Sequence, residues 1–265
     1  MSGLLLTEIW IYPVKSLGGI QLLSAKVLPK GLEHDRRWML IDANNQCMTQ
    51  RVFPVMALFK LSLDSGRFSI RYKDQVKELP FSYENTQITA TIWKNTVVVY
   101  EVSRLHSEWF SEILGIDCRL VSFPEENTRP VDPLFSIHDE QVSLADGYPL
   151  LIIGQSSLDD LNRRLPEPLP MNRFRPNLVF EGGEPNEEDN WKKFRVGQNR
   201  FAAVKPCARC VLTTVDQETA IKGKEPLAIL STYRKIDYNV YFGQNLLALD
   251  HLEISTGDEI VLEQD

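Results

Sequence analysis

No run of about 20 apolar residues occurs anywhere in the chain, so no membrane-spanning helix is expected. A basic excess is lacking too: 29 Lys and Arg stand against 36 Asp and Glu, a net charge of −7, which argues against nucleic acid as a partner. Cysteine is scarce. Of the four, Cys47 and Cys118 are isolated, which excludes a disulfide framework and fits a reducing cytosol, so a cytoplasmic location is expected. The N-terminus, MSGLLLTEIWIYPVKS, has no basic opening and no uninterrupted apolar run before Glu8, so no signal peptide is expected. There is no P-loop, no Gly-x-Gly-x-x-Gly, no trustworthy Ser-His-Asp order, no internal repeat and no low-complexity segment. What remains is an ordinary globular composition, 43% hydrophobic and 25% charged, long enough for one large domain or two moderate ones.

Strand patterns dominate the first hundred residues. In RFSIRYKD, Phe68, Ile70 and Tyr72 alternate with Ser69, Arg71 and Lys73, the period of a half-buried strand. LLLTEIWIY and RRWMLID are further strands, and TQITATIWKNTVVVYEV reads as a hairpin turning at Lys94-Asn95. Three helices follow. RLHSEWFSEILG stops at Gly115; GQSSLDDLNRRLPEP is capped at Ser156 or Ser157, with Leu158, Leu161 and Leu165 on one face; EPLAILSTYRK has Pro226 in its first turn. HLEISTGDEIVLE returns to strand around a Gly257-Asp258 turn. The Pro-rich polar stretch SFPEENTRPVDPLFSIHDEQ reads as a long loop or linker. The expected fold is mainly β with a few helices (α+β), as two β-rich modules, 1–120 and 121–265.

VKPCARCVLTTVD carries the only close cysteine pair, Cys207 and Cys210. Zinc would need two further ligands, and His34, His106, His138 and His251 form no ligand pair. A redox dithiol would sit at a helix start, whereas VLTTV is strand-like. Two core cysteines, or one thiolate offered to a soft metal beside Lys205 and Arg209, both remain open from this segment alone. Other cations stand next to turns: Lys15 with Ser16 in YPVKSLGG, Arg36 and Arg37 in HDRRWML, Arg173 and Arg175 in MNRFRPNLVF. Each alone reads as a solvated loop cation, and together, if they converge, as a site for a phosphate and a flat heterocycle. Gly243-Gln244-Asn245 inside an apolar run reads as a strand bulge.

The ordered set YPVKSLGG, HDRRWML, ADGYPLLI, NRFRPNLVFEGG, KPCARCVLTTVD, GKEPLAIL and FGQN resembles the MOSC family (molybdenum cofactor sulfurase C-terminal) over nearly the whole chain. Within it the chain is most similar to the amidoxime-reducing components of mitochondria and their bacterial relatives. The resemblance implies a MOSC N-terminal β-barrel-like domain over 1–120 and a MOSC β-barrel domain over 121–265. It implies Cys210 as the protein ligand to molybdenum, with Cys207 a neighbour. Lys15, Ser16, Arg36, Arg175, Ala208 and Arg209 would contact a molybdopterin cofactor, and Asp146, Gly147 and Tyr148 would line it. Asn245 falls where some relatives have tyrosine. Asp146 is the candidate proton donor beside Cys210. The activity implied is molybdenum-dependent reduction of N-hydroxylated or N-oxide compounds by oxygen removal; a non-enzymatic carrier of the cofactor or of sulfur is the alternative. No iron–sulfur cluster is expected on this chain, because its cysteines lack the plant-type spacing, and no pyridoxal-phosphate domain is recognisable. Electrons are therefore expected from a separate protein (a flavoprotein, a ferredoxin-like protein or a b-type cytochrome) and the protein is expected to be a monomer.

Overall fold

The structure, a computed structural model, describes residues 3–263. The fold is mainly β, with three α-helices among the described residues: α1 (Arg104–Leu114), α2 (Gln155–Arg164) and α3 (Leu227–Tyr233). Seven strands close into a barrel in the order Leu150–Gly154, Leu178–Glu181, Leu4–Ile11, Glu259–Leu262, Lys193–Val196, Asn199–Arg209 and Asn239–Ala248, the last pairing back onto the first. Leu4–Ile11 thus sits in a sheet built otherwise mainly from residues beyond 150. That pairing places the loop after it, carrying Lys15 and Ser16, beside the C-terminal half of the chain.

Periodicity explains which strands are covered. Leu6, Ile9 and Ile11 are buried along the first strand, with a bulge between Leu6 and Glu8 that resets the alternation. Leu150–Gly154 is buried throughout. Its outer face lies under α2, which contributes the buried stripe Leu158, Leu161 and Leu165. Beside the barrel lie a four-stranded sheet (Trp38–Asp42, Cys118–Ser122, Asn95–Glu101, Gln87–Ile92) and a meander of Lys60–Asp64, Arg67–Tyr72 and Gln75–Leu79. Leu144, from the C-terminal half, packs into the core of the four-stranded sheet with Met39, Ile41, Val97 and Val121.

Several local expectations hold and three shift. Gly115 caps α1 in the left-handed conformation, φ +67°. The hairpin turns at Trp93-Lys94, one residue earlier than the pattern suggests, since Asn95 already pairs with Ile92. Gly154, not a serine, precedes α2, because Ser157 Oγ is drawn inward to donate to the buried Glu188 carboxylate at 2.9 Å. Gly257 does turn the chain, yet its flanking strands join different sheets: Glu253–Ser255 pairs with Ser24–Leu28, and Glu259–Leu262 with Leu4–Ile11 and Lys193–Val196.

Gly243 sits at the anticipated bulge, where the register between Asn199–Arg209 and Asn239–Ala248 slips. Its φ is +80°, and an added Cβ would stand 2.8 Å from the Ile152 carbonyl oxygen and 2.6 Å from Ile153 Cγ1. Gly243→Ala is therefore expected to destabilise the protein by about 1–3 kcal/mol, read as a lowered urea midpoint with unchanged m-value.

Candidate functional site

Seven segments that are far apart in sequence (15–16, 36, 51, 145–151, 174–177, 207–213 and 245) meet at the mouth of the barrel around one cleft. Lys15, Ser16, Arg36, Asp146, Gly147, Tyr148, Arg175, Ala208, Arg209, Cys210 and Asn245, the residues singled out above, all line it. Arg37 and Arg173 do not. Arg37 turns to Glu125 and the Asp35 carbonyl, and Arg173 to Asp216 and the Thr213 carbonyl.

Three of the lining residues, Ser16, Arg36 and Arg175, adopt positive φ (66°, 51° and 55°) without being glycine. Each such backbone costs on the order of 1–3 kcal/mol and persists only where its surroundings hold it. Here hydrogen bonds between segments do so. Gln50 Nε2 donates to the Ser16 carbonyl at 2.8 Å, the Arg36 amide to the Tyr12 carbonyl at 3.0 Å, and Arg175 Nη1 to the Leu17 carbonyl at 2.7 Å. Arg36 reaches Asp35 Oδ2 at 2.6 Å and Asn177 Oδ1 at 3.2 Å. Both guanidiniums lie over the buried Tyr12 ring, Arg36 at 4.4 Å and Arg175 at 4.1 Å from its centroid. Burial lowers the pKa of Arg175 to about 10, which leaves it a cation at neutral pH.

On the opposite side Asp146 joins two cations. Lys15 Nζ donates to its Oδ1 at 2.6 Å and Arg51 Nη2 to its Oδ2 at 2.7 Å. Lys15 is almost wholly buried, and its other contact is the Leu144 carbonyl at 2.8 Å. Desolvation lowers its pKa and Asp146 opposes that. Arg129, from the long loop, fixes the Asp146 backbone through the carbonyls of Ser143, Ala145 and Asp146 itself. Arg51 Nε also donates to Cys210 Sγ at 3.1 Å, while Arg209 Nη1 donates to Cys207 Sγ at 3.0 Å. The two thiols are therefore not equivalent: Cys210 is coupled to Asp146 through Arg51, and Cys207 packs against the apolar cluster under α2.

The proton-donor expectation for Asp146 does not fit this geometry. Its side chain is 55% exposed, and the two cations it bridges, Lys15 and Arg51, hold its carboxyl far below the ordinary carboxylate range. It is an anion that positions cations. Arg51, Asn177, Tyr12 and Arg129 were not legible as site residues. Arg51 lies in TQRVFP, which has no motif, and only its place in the fold brings it to Cys210.

The charge balance points to an anionic occupant. Five cations (Lys15, Arg36, Arg51, Arg175, Arg209) and one carboxylate (Asp146) line the cleft of a protein whose net charge is −7. Arg51 Nη1, Arg175 Nη2 and Arg209 Nε are buried without a hydrogen-bond partner among the described residues, an arrangement that costs free energy unless a ligand supplies acceptors. All four cysteines are free, and among the described residues no three His, Cys, Asp or Glu side chains converge as a metal cluster. A cationic floor with spare donors and two half-buried cysteine sulfurs, Cys207 and Cys210, fits an anionic cofactor that brings its own metal and further ligands.

The family model for the MOSC N-terminal beta barrel domain matches residues 4–117, and that for the MOSC domain matches residues 139–261. The chain is 30% identical over 267 residues to molybdenum cofactor sulfurase of Arabidopsis thaliana, covering 90% of this chain but only 32% of that protein. It is 30% identical to human mitochondrial amidoxime-reducing component 1, covering 96% of this chain and 82% of that one. Human mitochondrial amidoxime reducing component 2 is 32% identical, with 87% and 72% covered.

Because Asp146 has a lower pKa folded than unfolded, its ionisation stabilises the fold above about pH 4 and that contribution is lost as the pH falls through its native value. Asp146→Asn is expected to lower the urea midpoint at pH 7, and the gap to wild type is expected to narrow steadily as unfolding is repeated toward pH 3. A gap independent of pH would contradict the ion-pair account.

Proposed function

The chain belongs to the MOSC family, carrying both its N-terminal barrel domain and its MOSC domain, and from that premise we propose that it is a molybdenum-cofactor-dependent reductase of N-hydroxylated or N-oxide compounds. The observation that carries this reading is the Cys210 sulfur, held by Arg51, at a cleft where five cations converge and three guanidiniums keep buried N–H groups without partners among the described residues.

Cys210 would supply the protein's one sulfur ligand. Arg36, Arg175 and Arg209 suit the cofactor's phosphate and flat ring system, since planar guanidiniums pair with anions in bidentate fashion and stack on rings. When bound, the cofactor supplies a molybdenum centre able to take up the substrate's oxygen and cycle by two electrons. In the net reaction the N–O bond breaks, two electrons and two protons are consumed, and the oxygen leaves as water. The electrons come from a separate redox protein in this reading. Arg51 Nε, hydrogen-bonded to Cys210 Sγ, orients that sulfur. Lys15 Nζ, shielded from bulk water and held by Asp146 and the Leu144 carbonyl, keeps a proton at the cleft wall.

Protein purified from a host able to make the cofactor is expected to contain stoichiometric molybdenum and to reduce benzamidoxime with a dye reductant. Cys210→Ser should lose both metal and turnover, while Cys207→Ser keeps both. Arg51→Gln should cost about 10–100-fold in activity or metal retention. Metal-loaded protein without turnover would favour a cofactor or sulfur carrier, a reading supported by the similarity to part of the plant sulfurase. Full activity in Cys210→Ser would sink both.

A further inference from the structure

The cleft floor is polar and cationic, but an exposed indole stands beside it. Trp93, at the tip of the Gln87–Ile92/Asn95–Glu101 hairpin, is 47% exposed and belongs to the N-terminal sheet rather than the barrel. Its Nε1–H donates to Asp146 Oδ1 at 3.1 Å, and its ring lies 4.2 Å from the Arg51 guanidinium and 6.0 Å from Lys15 Nζ. Three cleft-lining residues therefore fix the orientation of one exposed indole.

The choice of residue at this turn is costly. Trp93 has φ +55° in a two-residue hairpin turn, a position where Asn, Asp or Gly is favoured and where a bulky side chain is an outlier. A tryptophan kept there is strained in its backbone and left half in water. Trp93 belongs to none of the hydrophobic core clusters of the described residues. Asp146, Arg51 and Lys15, which hold its indole, all lie in the cleft wall.

We propose that Trp93 is a specificity-determining residue: the platform on which the aromatic or otherwise flat, apolar part of the substrate rests. The polar N–O group then enters the cationic cleft while the ring stays at its mouth. This inference rests on the reductase reading for the reaction, and it adds the residue by which the site would favour flat, ring-bearing substrates over small ones without a ring.

The test compares benzamidoxime with hydroxylamine, which has the N–O bond and no ring, using a dye reductant so that no partner protein is involved. In Trp93→Ala the ratio of kcat/KM for benzamidoxime over hydroxylamine should fall about 3- to 10-fold, chiefly through KM for benzamidoxime, and Trp93→Phe should recover most of it. An equal loss on both substrates would make Trp93 a strut for Asp146 and Arg51, and would overturn the proposal. Binding is followed separately on ¹⁵N-labelled protein as purified, whatever its metal content. The indole N–H signal missing from Trp93→Phe should shift on titration with benzamidoxime and not with hydroxylamine. If wild type reduces neither compound, the reductase reading fails, and the indole signal alone then decides the platform: a shift supports it and no shift overturns it.

Discussion

Like charges gathered in one cleft repel, and the architecture around this one is organised to hold five of them together. Asp146 bridges Lys15 and Arg51, and Asp35, fully buried, accepts from Arg36 and from the Tyr12 amide. The Tyr12 ring offers its π-surface to Arg36 and Arg175. These contacts reduce the repulsion without exhausting the hydrogen-bonding capacity of the cations. The cleft is consequently preorganised for an anion and disfavoured as an empty space, the condition under which an anionic cofactor also stabilises the fold by mass action.

Rigidity for such an arrangement comes from closure. The seven-stranded barrel joins Leu4–Ile11 and Glu259–Leu262, so the loop bearing Lys15 and Cys210, which directly follows the strand Asn199–Arg209, are fixed to one frame. Strained backbones at Ser16, Arg36 and Arg175 are tolerable because that frame over-determines them. The bulges in Asn199–Arg209 and Asn239–Ala248 interrupt regular pairing beside the cleft, where side chains are re-aimed.

The N-terminal half does more than cover the barrel. It supplies Lys15, Arg36 and Arg51 to the cleft and Trp93 to its edge, while Leu144 returns from the C-terminal half into its core. The cations of the cleft are thus divided between the halves, Arg175 and Arg209 coming from the C-terminal one. In the proposed reading the organic part of the substrate meets the N-terminal sheet.

Local patterns were readable wherever one element's own chemistry decides. The alternation of Phe68 and Ile70, the Leu158–Leu161–Leu165 stripe, the Gly115 stop and the Gly243 bulge each follow from a period or a φ requirement contained in a short window. The ordered motifs also named eleven residues that share one cleft, and the composition argued against nucleic acid as a partner. Pairings across the chain were not readable in this way. Nothing in TQRVFP marks Arg51 as the partner of Cys210, nothing in the Pro-rich loop marks Arg129 as the clamp on Asp146, and the Gly257 turn does not reveal that its two strands enter different sheets. The protonation state of Asp146 was likewise beyond sequence, because it depends on two cations from residues 15 and 51. The sequence by itself determined the element types and the residue chemistry available to the site. Only the tertiary structure decided which thiol stands coupled to the Arg51–Asp146 pair and which indole overhangs the cleft, because those properties arise from distances between segments that barrel closure alone brings together.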